Sequence, residues 1–208
     1  MPSQKTVVHG KTKKGQARYR LRINQIKMIS EELRQKKRVG QRCILITSID
    51  HSFYDSFLSF DMATTFAEQG MRTVLVDANI REKSDETAEF GLINALHKGS
   101  NITRFIHPTK VKNLSYLPYG RPSIMNSKSW QIERLLWLKQ QLTEISDVAI
   151  IESHSYLNYL EIQMLAKVCE DVVVVVRKHK DKKSKIQEMK RDMETAGIHL
   201  TGLIFQPH

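Results

Sequence analysis

The chain contains five short, nearly all-apolar runs that are rich in Val and Ile and bounded by charged or polar residues. They lie at 43–47, 73–76, 148–151, 172–176 and 200–205. None of them alternates apolar and polar residues, which indicates strands buried on both faces. Strands of this kind occur in parallel sheets that are covered by helices on each side. The runs therefore predict a parallel sheet at the centre of the fold.

Amphipathic segments of helical length separate these runs. A further strand at 113–117, a short helix at 92–96 and a cationic amphipathic helix at 17–37 are also predicted. The regular alternation of strand and helix predicts an α/β fold, doubly wound, with a mainly parallel sheet and helices on both faces. The clearest helical segments are 56–69, 129–145, 159–168 and 182–195, and Gly70 and Gly197 follow two of them as helix stops.

Composition excludes several classes of protein. A chain of 208 residues that is 40% apolar can build one large domain with a real core. It has no run of 18 apolar residues that could span a membrane, and its first residues lack the apolar region of a signal peptide. Cys43 and Cys169 lie far apart in apolar runs, and the histidines, among them His51 and His107, lack HxxxH or HExxH spacing. We therefore expect a cytoplasmic protein with buried thiols and no zinc site.

The positive charge is concentrated at the N-terminus. Residues 1–42 hold thirteen Lys and Arg and two acids, whereas the remainder holds twenty of each sign. This distribution predicts a basic N-terminal arm with an amphipathic helix at 1–40, followed by an α/β domain at 41–208. Such an arm can bind nucleic acid, anionic lipid or an acidic protein, or act as a solvated tail, and composition does not choose among these.

The segment after the first strand is where this type of fold binds phosphate, since ligands bind at the carboxyl ends of the strands. A phosphate loop needs glycines whose backbone amides wrap the phosphate, a Lys that neutralises it, and a Ser or Thr for Mg²⁺. Residues 51–57 read HSFYDSF, and no Gly lies between Gly40 and Gly70. Only Ser56 is chemically suitable.

Two other strand ends carry acidic side chains. Asp77 ends the second strand, where it could bind Mg²⁺ or cap a turn. Glu152 ends a later strand, and His154 follows two residues further on. These two could form an acid/base pair, but alternate residues usually point in different directions, which favours structural roles.

Residues 66–81, FAEQGMRTVLVDANIR, resemble the cytoplasmic domain of the bacterial tyrosine kinases (BY-kinases) of capsule and exopolysaccharide operons. That family, within the MinD/ParA-like class of P-loop proteins, typically reads FAxxGxKVLLIDADLR there. The resemblance covers about 16–206 and implies the fold of that class and, for a working member, ATP and Mg²⁺ as cofactors. Further matches are Thr47 and Ser48 before the loop, DVAIIES at 147–153, LA at 165–166, VVVR at 174–177 and AGIHLTGLIFQ at 196–206.

The departures from this family fall on the nucleotide site. Its loop, PGEGKST, aligns with 51–57, so that Ser52 and Tyr54 replace the glycines and Asp55 replaces the phosphate-binding Lys. Ser56 and Asp77 are kept as the possible metal ligands. A Lys attracts a phosphate charge 4 Å away by about 4 kcal/mol at an effective dielectric near 20, and an Asp in its place repels that charge by about the same amount. The resemblance therefore implies a vestigial loop.

Other positions of the family's site are changed as well. Asn79 replaces the second Asp of the DAD motif, Glu152 replaces an Asp, and Gln206 replaces the Asn that contacts the base. Arg81, just beyond the second strand, is a candidate for contacting phosphate. The resemblance thus implies vestigial catalytic positions at Asp77, Asn79 and Glu152, and no bound cofactor.

Two features outside the site are also altered. The family's ExxRxxR motif for self-association aligns with Gln16, Tyr19 and Arg22, of which only Arg22 is kept. No Tyr follows Tyr159, where the family has its autophosphorylated cluster. By resemblance the chain is a pseudokinase, a regulatory or binding subunit in capsule or exopolysaccharide synthesis or export. Its implied partners are a transmembrane adaptor's cytoplasmic tail, an active kinase in a homo- or hetero-oligomer, and the anionic inner membrane face through 1–42.

Two alternatives remain open. The first is an active tyrosine kinase or ATPase that uses Ser56, Asp77 and Glu152 on Mg²⁺ and Arg81 or Lys83 on phosphate. The second is a ParA-like nucleic-acid-binding protein whose arm contacts phosphates. Among the aromatic residues, Trp130 and Trp137 are expected to pack on one helix, and Tyr116 and Tyr119 to flank Pro118 in a turn.

Overall fold

A computed structural model of the protein describes residues 13–35, 42–50, 57–80, 89–98, 101–121, 130–177 and 180–206. These residues form helices and strands in the alternation that the sequence predicts, with a short 3₁₀ helix at Ile102–Phe105. The helices are α1 (Lys13–Gln35), α2 (Phe57–Glu68), α3 (Leu92–Lys98), α4 (Ile132–Ile145), α5 (Leu160–Val168) and α6 (Lys183–Thr195). The strands are β1 (Arg42–Ser48), β2 (Thr73–Asp77), β3 (His107–Pro108), β4 (Leu114–Leu117), β5 (Val148–Glu152), β6 (Asp171–Arg177) and β7 (Leu200–Gln206).

The seven strands form one sheet in the order β3-β4-β2-β5-β1-β6-β7. All neighbouring pairs are parallel except β3 with β4, and the two-residue β3 is the one strand of this sheet that the sequence did not predict. The doubly wound, mainly parallel α/β fold is therefore confirmed. Its carboxyl strand ends share one edge, where such folds bind ligands.

Each face of the sheet carries its own hydrophobic core. Successive residues of β1 point to opposite faces, so that Ile44 and Ile46 pack under α1 and α2 while Cys43 and Leu45 pack under α3 to α6. Because both faces are covered, the central strands need apolar residues at every position. This explains the unbroken Val and Ile runs of the sequence.

Helix α1 packs as part of the folded domain. Its Ile26, Ile29 and Leu33 are buried in the core beneath α2. Gln25 Oε1 accepts a hydrogen bond from the Phe205 backbone N–H at 2.8 Å, and Gln25 Nε2 donates to the Phe205 carbonyl at 3.2 Å. The division of the chain at residue 40 stays a prediction, but the described part of α1 is joined to the edge strand β7.

Two aromatic predictions need correction. Helix α4 begins at Ile132, after an extended residue at 131, so Trp130 precedes the helix although it is buried in the core. Tyr116 lies on β4 and not in a turn, because the parallel pairing with β2 keeps this segment extended. Tyr119 is buried where its carbonyl accepts a hydrogen bond from the Ile93 backbone N–H at 2.9 Å. None of the described helices is both long enough and apolar enough to cross a bilayer.

We expect Ile26→Ala to destabilise the full chain by about 2–5 kcal/mol, because it leaves a cavity between α1 and the sheet. Met28→Ala on the same helix is the matched control, since Met28 is 72% exposed. Its effect should stay within about 0.5 kcal/mol. Urea unfolding followed by circular dichroism measures both, and equal effects would contradict the packing of α1 described above.

A second prediction concerns Cys43, a free and buried thiol. Burial, with Glu170 nearby, raises the pKa of Cys43 to about 12. The thiolate is the reactive form, so only about one Cys43 in ten thousand is ionised at pH 8. In a Cys169→Ser variant, a thiol reagent should label the native protein far more slowly than the guanidinium-unfolded chain. Equal labelling rates in the native and the unfolded protein would mean that Cys43 on β1 is not buried.

Candidate functional site

Two carboxylates meet at the carboxyl edge of the sheet. Asp77 ends β2, Glu152 ends β5, and the parallel pairing places them directly opposite each other. Both side chains are buried, each 7% exposed. The Ala78 backbone N–H donates to the Glu152 carbonyl at 2.8 Å, which continues the pairing beyond the strand. Two buried acids side by side are stabilised by hydrogen-bond donors, by a cation between them, or by a proton on one of them.

Asn79 supplies those donors. Its backbone N–H and its Nδ2 each donate to Asp77 Oδ1 at 3.0 Å, and Nδ2 also donates to Glu152 Oε1 at 3.4 Å. The opposite assignment of the amide would put its oxygen against both carboxylate oxygens, where the contacts would be repulsive. The carboxamide nitrogen therefore bridges the two acids. Hydrogen bonds to charged groups of this kind contribute about 1.5–3 kcal/mol each.

Tyr116 approaches the site from the neighbouring strand. Its hydroxyl donates to Asp77 Oδ2 at 3.4 Å, because β4 pairs with β2 in parallel register. Sequence reasoning missed this residue, since it did not place the 113–117 strand beside β2. A Tyr directly before the last residue of the strand was the available signal, and it became informative only with the order of the strands.

The segment after β5 is tied to the end of β1. Thr47 Oγ1 donates to the His154 carbonyl, and the Tyr156 backbone N–H donates to the Ser48 carbonyl at 2.9 Å. The imidazole ring of His154 lies beside the Tyr159 ring, with 5.8 Å between centroids. Glu152, by contrast, accepts a hydrogen bond from Asn79. The structure therefore gives Glu152 and His154, the suggested acid/base pair, different neighbours.

At the other side of the edge, β6 ends in an ion pair. Arg177 NH2 lies 2.8 Å from Asp181 Oδ1, and the Arg177 backbone N–H donates to Asp181 Oδ2 at 2.6 Å. The Arg177 guanidinium thus contacts a carboxylate only four residues further along the chain. Gln206, the last residue of β7, is partly buried at the same edge.

Some of the remaining predicted site residues lie in the described part of the structure, and the others do not. Arg22, from the self-association motif, forms an ion pair with Asp61 Oδ2 of α2 at 2.8 Å. Gln16 and Tyr19 lie on α1, but their side chains fall outside the described part of the structure. Also outside the described residues are Ser52, Tyr54, Asp55 and Ser56 of the loop, together with His51, Arg81 and Lys83.

Asp77, Asn79 and Glu152 do not fit a Mg²⁺ ion in this arrangement. Magnesium needs oxygen ligands in near-octahedral geometry. Here amide hydrogens point at Asp77 Oδ1 and Glu152 Oε1, the oxygens that a shared ion would need. Across the described ranges, no three His, Cys, Asp or Glu side chains cluster so as to hold a metal. We therefore derive no chemical step through a metal at this site.

Comparison with known proteins identifies relatives of one kind, although no protein-family model matches the chain. It is 26% identical over 172 residues to tyrosine-protein kinase YwqD of Bacillus subtilis, which covers 78% of this chain and 71% of the relative. It is 22% identical over 205 residues to tyrosine-protein kinase CpsD of Streptococcus agalactiae, which covers 88% of this chain and 89% of the relative.

Solved structures give the same result for the fold. The kinase domain of the Escherichia coli tyrosine kinase ETK superimposes with a TM-score of 0.76 at 15% identity, over 89% of this chain and 75% of that one. The septum site-determining protein MinD from Pyrococcus horikoshii, complexed with Mg-ADP, gives 0.63 at 16% identity, over 79% and 70%. The chain is therefore a relative of the bacterial tyrosine kinases, with the fold that their kinase domains share with the MinD proteins.

Proposed function

We propose that this protein is a non-catalytic relative of the bacterial tyrosine kinases and acts as a regulatory or binding subunit in capsule or exopolysaccharide synthesis or export. The observation that carries the proposal is the Asn79 carboxamide between Asp77 and Glu152. A kinase of this class would need these strand-end oxygens for the metal that accompanies ATP. In this chain they already accept hydrogen bonds from a neutral side chain.

The sequence of the loop supports the same proposal. The aligned phosphate Lys is Asp55, and no Gly is present at 51–56 to form a backbone cradle. A negative charge 4 Å from a phosphate charge, in place of the positive charge of the Lys, repels it by about 4 kcal/mol at an effective dielectric near 20. Since every 1.4 kcal/mol is about tenfold in affinity, this single exchange is enough to remove micromolar nucleotide binding.

Calorimetric titration of the nucleotide-stripped full chain with MgATP and MgADP tests the proposal. We expect no binding heat, and none in Asp55→Lys, because that variant still lacks the glycines of the loop. Micromolar binding that is lost in Asp77→Ala would contradict the proposal. It would favour the alternative of an active kinase or ATPase with an atypical loop.

The partner follows from the resemblance. Separate-chain members of the family are activated by the cytoplasmic tail of a membrane adaptor, so the proposed partners are such a tail and an active kinase in a mixed oligomer. Arg22 is the one retained position of the self-association motif. Its ion pair with Asp61 joins α1 to α2, so it would act in self-association by holding the position of α1.

We further propose that the N-terminal region contacts an anionic membrane surface. Leu21 and Met28 lie seven residues apart on one side of α1 and are 48% and 72% exposed. Arg20 and Lys27 are exposed beside them, and residues 1–42 carry the excess positive charge of the chain. Exposed apolar side chains among cations are typical of helices that lie in the headgroup region. Each Lys or Arg near anionic lipid contributes about 1 kcal/mol.

Vesicle sedimentation tests this contact. Arg20→Gln with Lys27→Gln should weaken binding to vesicles rich in anionic lipid about thirtyfold, the equivalent of about 2 kcal/mol. The charge-matched control is Lys190→Gln with Arg191→Gln on α6, which packs on the opposite face of the sheet and should bind as the unchanged protein does. Deleting residues 1–40 is unsuitable because it removes the buried Ile26.

Equal retention of both double variants by the vesicles would contradict the membrane proposal.

A DNA titration over a range of salt concentrations tests the remaining alternative, a nucleic-acid-binding protein. A steep salt slope would favour the nucleic-acid-binding function, and a slope near zero would exclude it.

A further inference from the structure

We infer that the Asn79 carboxamide takes the position of a cation, so that Asp77, Asn79, Tyr116 and Glu152 form a metal-independent connection between three strand ends. We call these four residues the carboxamide latch. The inference deepens the proposed function and rests on it, since binding of a magnesium nucleotide would require the amide to leave the two carboxylates. The inference states what Asn79 and Glu152, which differ from the family's residues, do in place of holding a metal.

The first support is that both oxygens of Asp77 receive donors from the protein. Oδ1 accepts from the backbone N–H and the Nδ2 of Asn79, both at 3.0 Å, and Oδ2 accepts from the Tyr116 hydroxyl at 3.4 Å. Several donors satisfy the oxygens of a buried carboxyl group without a metal. Asp77 therefore needs no ion to remain buried.

The second support is the bridge to Glu152. One carboxamide nitrogen carries two hydrogens, and these are directed to Asp77 Oδ1 at 3.0 Å and to Glu152 Oε1 at 3.4 Å. The Asn79 side-chain oxygen is buried and accepts no hydrogen bond from the described residues. The amide is thus oriented by the two carboxylates, even though its own oxygen then has no donor among the described residues.

The third support is the position of these residues in the sheet. Asp77 and Glu152 end neighbouring parallel strands, Tyr116 lies on the strand beyond β2, and Asp77, Asn79 and Glu152 are 7 to 8% exposed. Hydrogen bonds among buried groups are stronger than in water. The carboxamide latch therefore holds the ends of β4, β2 and β5 together whether or not a divalent ion is present.

Asn79→Asp tests the inference directly. It exchanges the donor for a third carboxylate among two buried acids, which repel it unless a divalent cation enters. We expect the melting temperature of this variant in EDTA to fall by about 4–8 °C relative to the unchanged protein, which corresponds to about 2 kcal/mol in a chain of this length. About 10 mM MgCl₂ should recover part of the loss, because an ion that binds only the folded state stabilises it.

The unchanged protein should melt at the same temperature in EDTA and in MgCl₂. Asn24→Asp on the exposed face of α1 introduces the same charge and is the matched control, with no response to Mg²⁺ expected. Stabilisation of the unchanged protein by Mg²⁺, or an Asn79→Asp variant that folds and ignores it, would overturn the inference.

Electron paramagnetic resonance of Mn²⁺ gives a second readout that does not depend on the variant folding. The unchanged protein should leave Mn²⁺ free up to millimolar concentration, and Tyr116→Phe should do the same while melting a few degrees lower. Submillimolar Mn²⁺ binding by the unchanged protein without nucleotide binding would overturn the carboxamide latch and leave the non-catalytic proposal standing. Binding and turnover of MgATP would overturn the proposed function itself.

Discussion

The parallel pairing of β2 with β5 is the constraint on which the candidate site depends. It brings two buried acids to the same level of the sheet, with Asp77 directly opposite Glu152. Two such charges in a nearly dry position must be stabilised by an ion or by hydrogen-bond donors. In this chain Asn79 provides the donors, from its backbone and its side chain together. The hydrogen bonds of Asn79 therefore offset the unfavourable burial of two acids that the strand pairing brings together.

The acids of the candidate site lie outside the packing that holds the sheet together. The central strands are held by apolar side chains on both faces, and Asp77 and Glu152 lie at their ends. A substitution at such a strand end therefore changes the local charge without opening either hydrophobic core. The neutral side chain of Asn79 adds no further negative charge between the two acids.

Much of the fold could be predicted from the sequence because apolar patterning reports burial directly. The five consecutive valines at 172–176 predict a strand covered on both sides, and Ile26, Ile29 and Leu33 have helical spacing. Asp77 and Glu152 were predicted as candidates because each ends a strand, and Asn79 because it aligns with the second Asp of the family's DAD motif.

The partners of these residues could not be predicted in the same way. The contact of Tyr116 with Asp77 depends on the order of strands in the sheet, which spacing along the chain does not determine. The direction of the Asn79 amide depends on which atoms surround it in three dimensions. Trp130 was assigned to a helix because it is seven residues from Trp137, although the helix begins only at Ile132. Patterns of burial indicate which residues are inside, but not which atoms they contact.

The side chain of Gln25 has a consequence for how this sheet can associate. An outer strand of a sheet offers unpaired backbone groups to any extended chain that meets it, which is a common route to strand exchange and fibre formation. At Phe205 the amide of Gln25 already occupies both the N–H and the carbonyl of β7, and it is held there by a helix whose Ile26, Ile29 and Leu33 are buried in the core. A second chain could not add a strand at that point without first displacing α1. Another copy or a partner therefore finds no unpaired backbone N–H or carbonyl at Phe205 on which to extend the sheet.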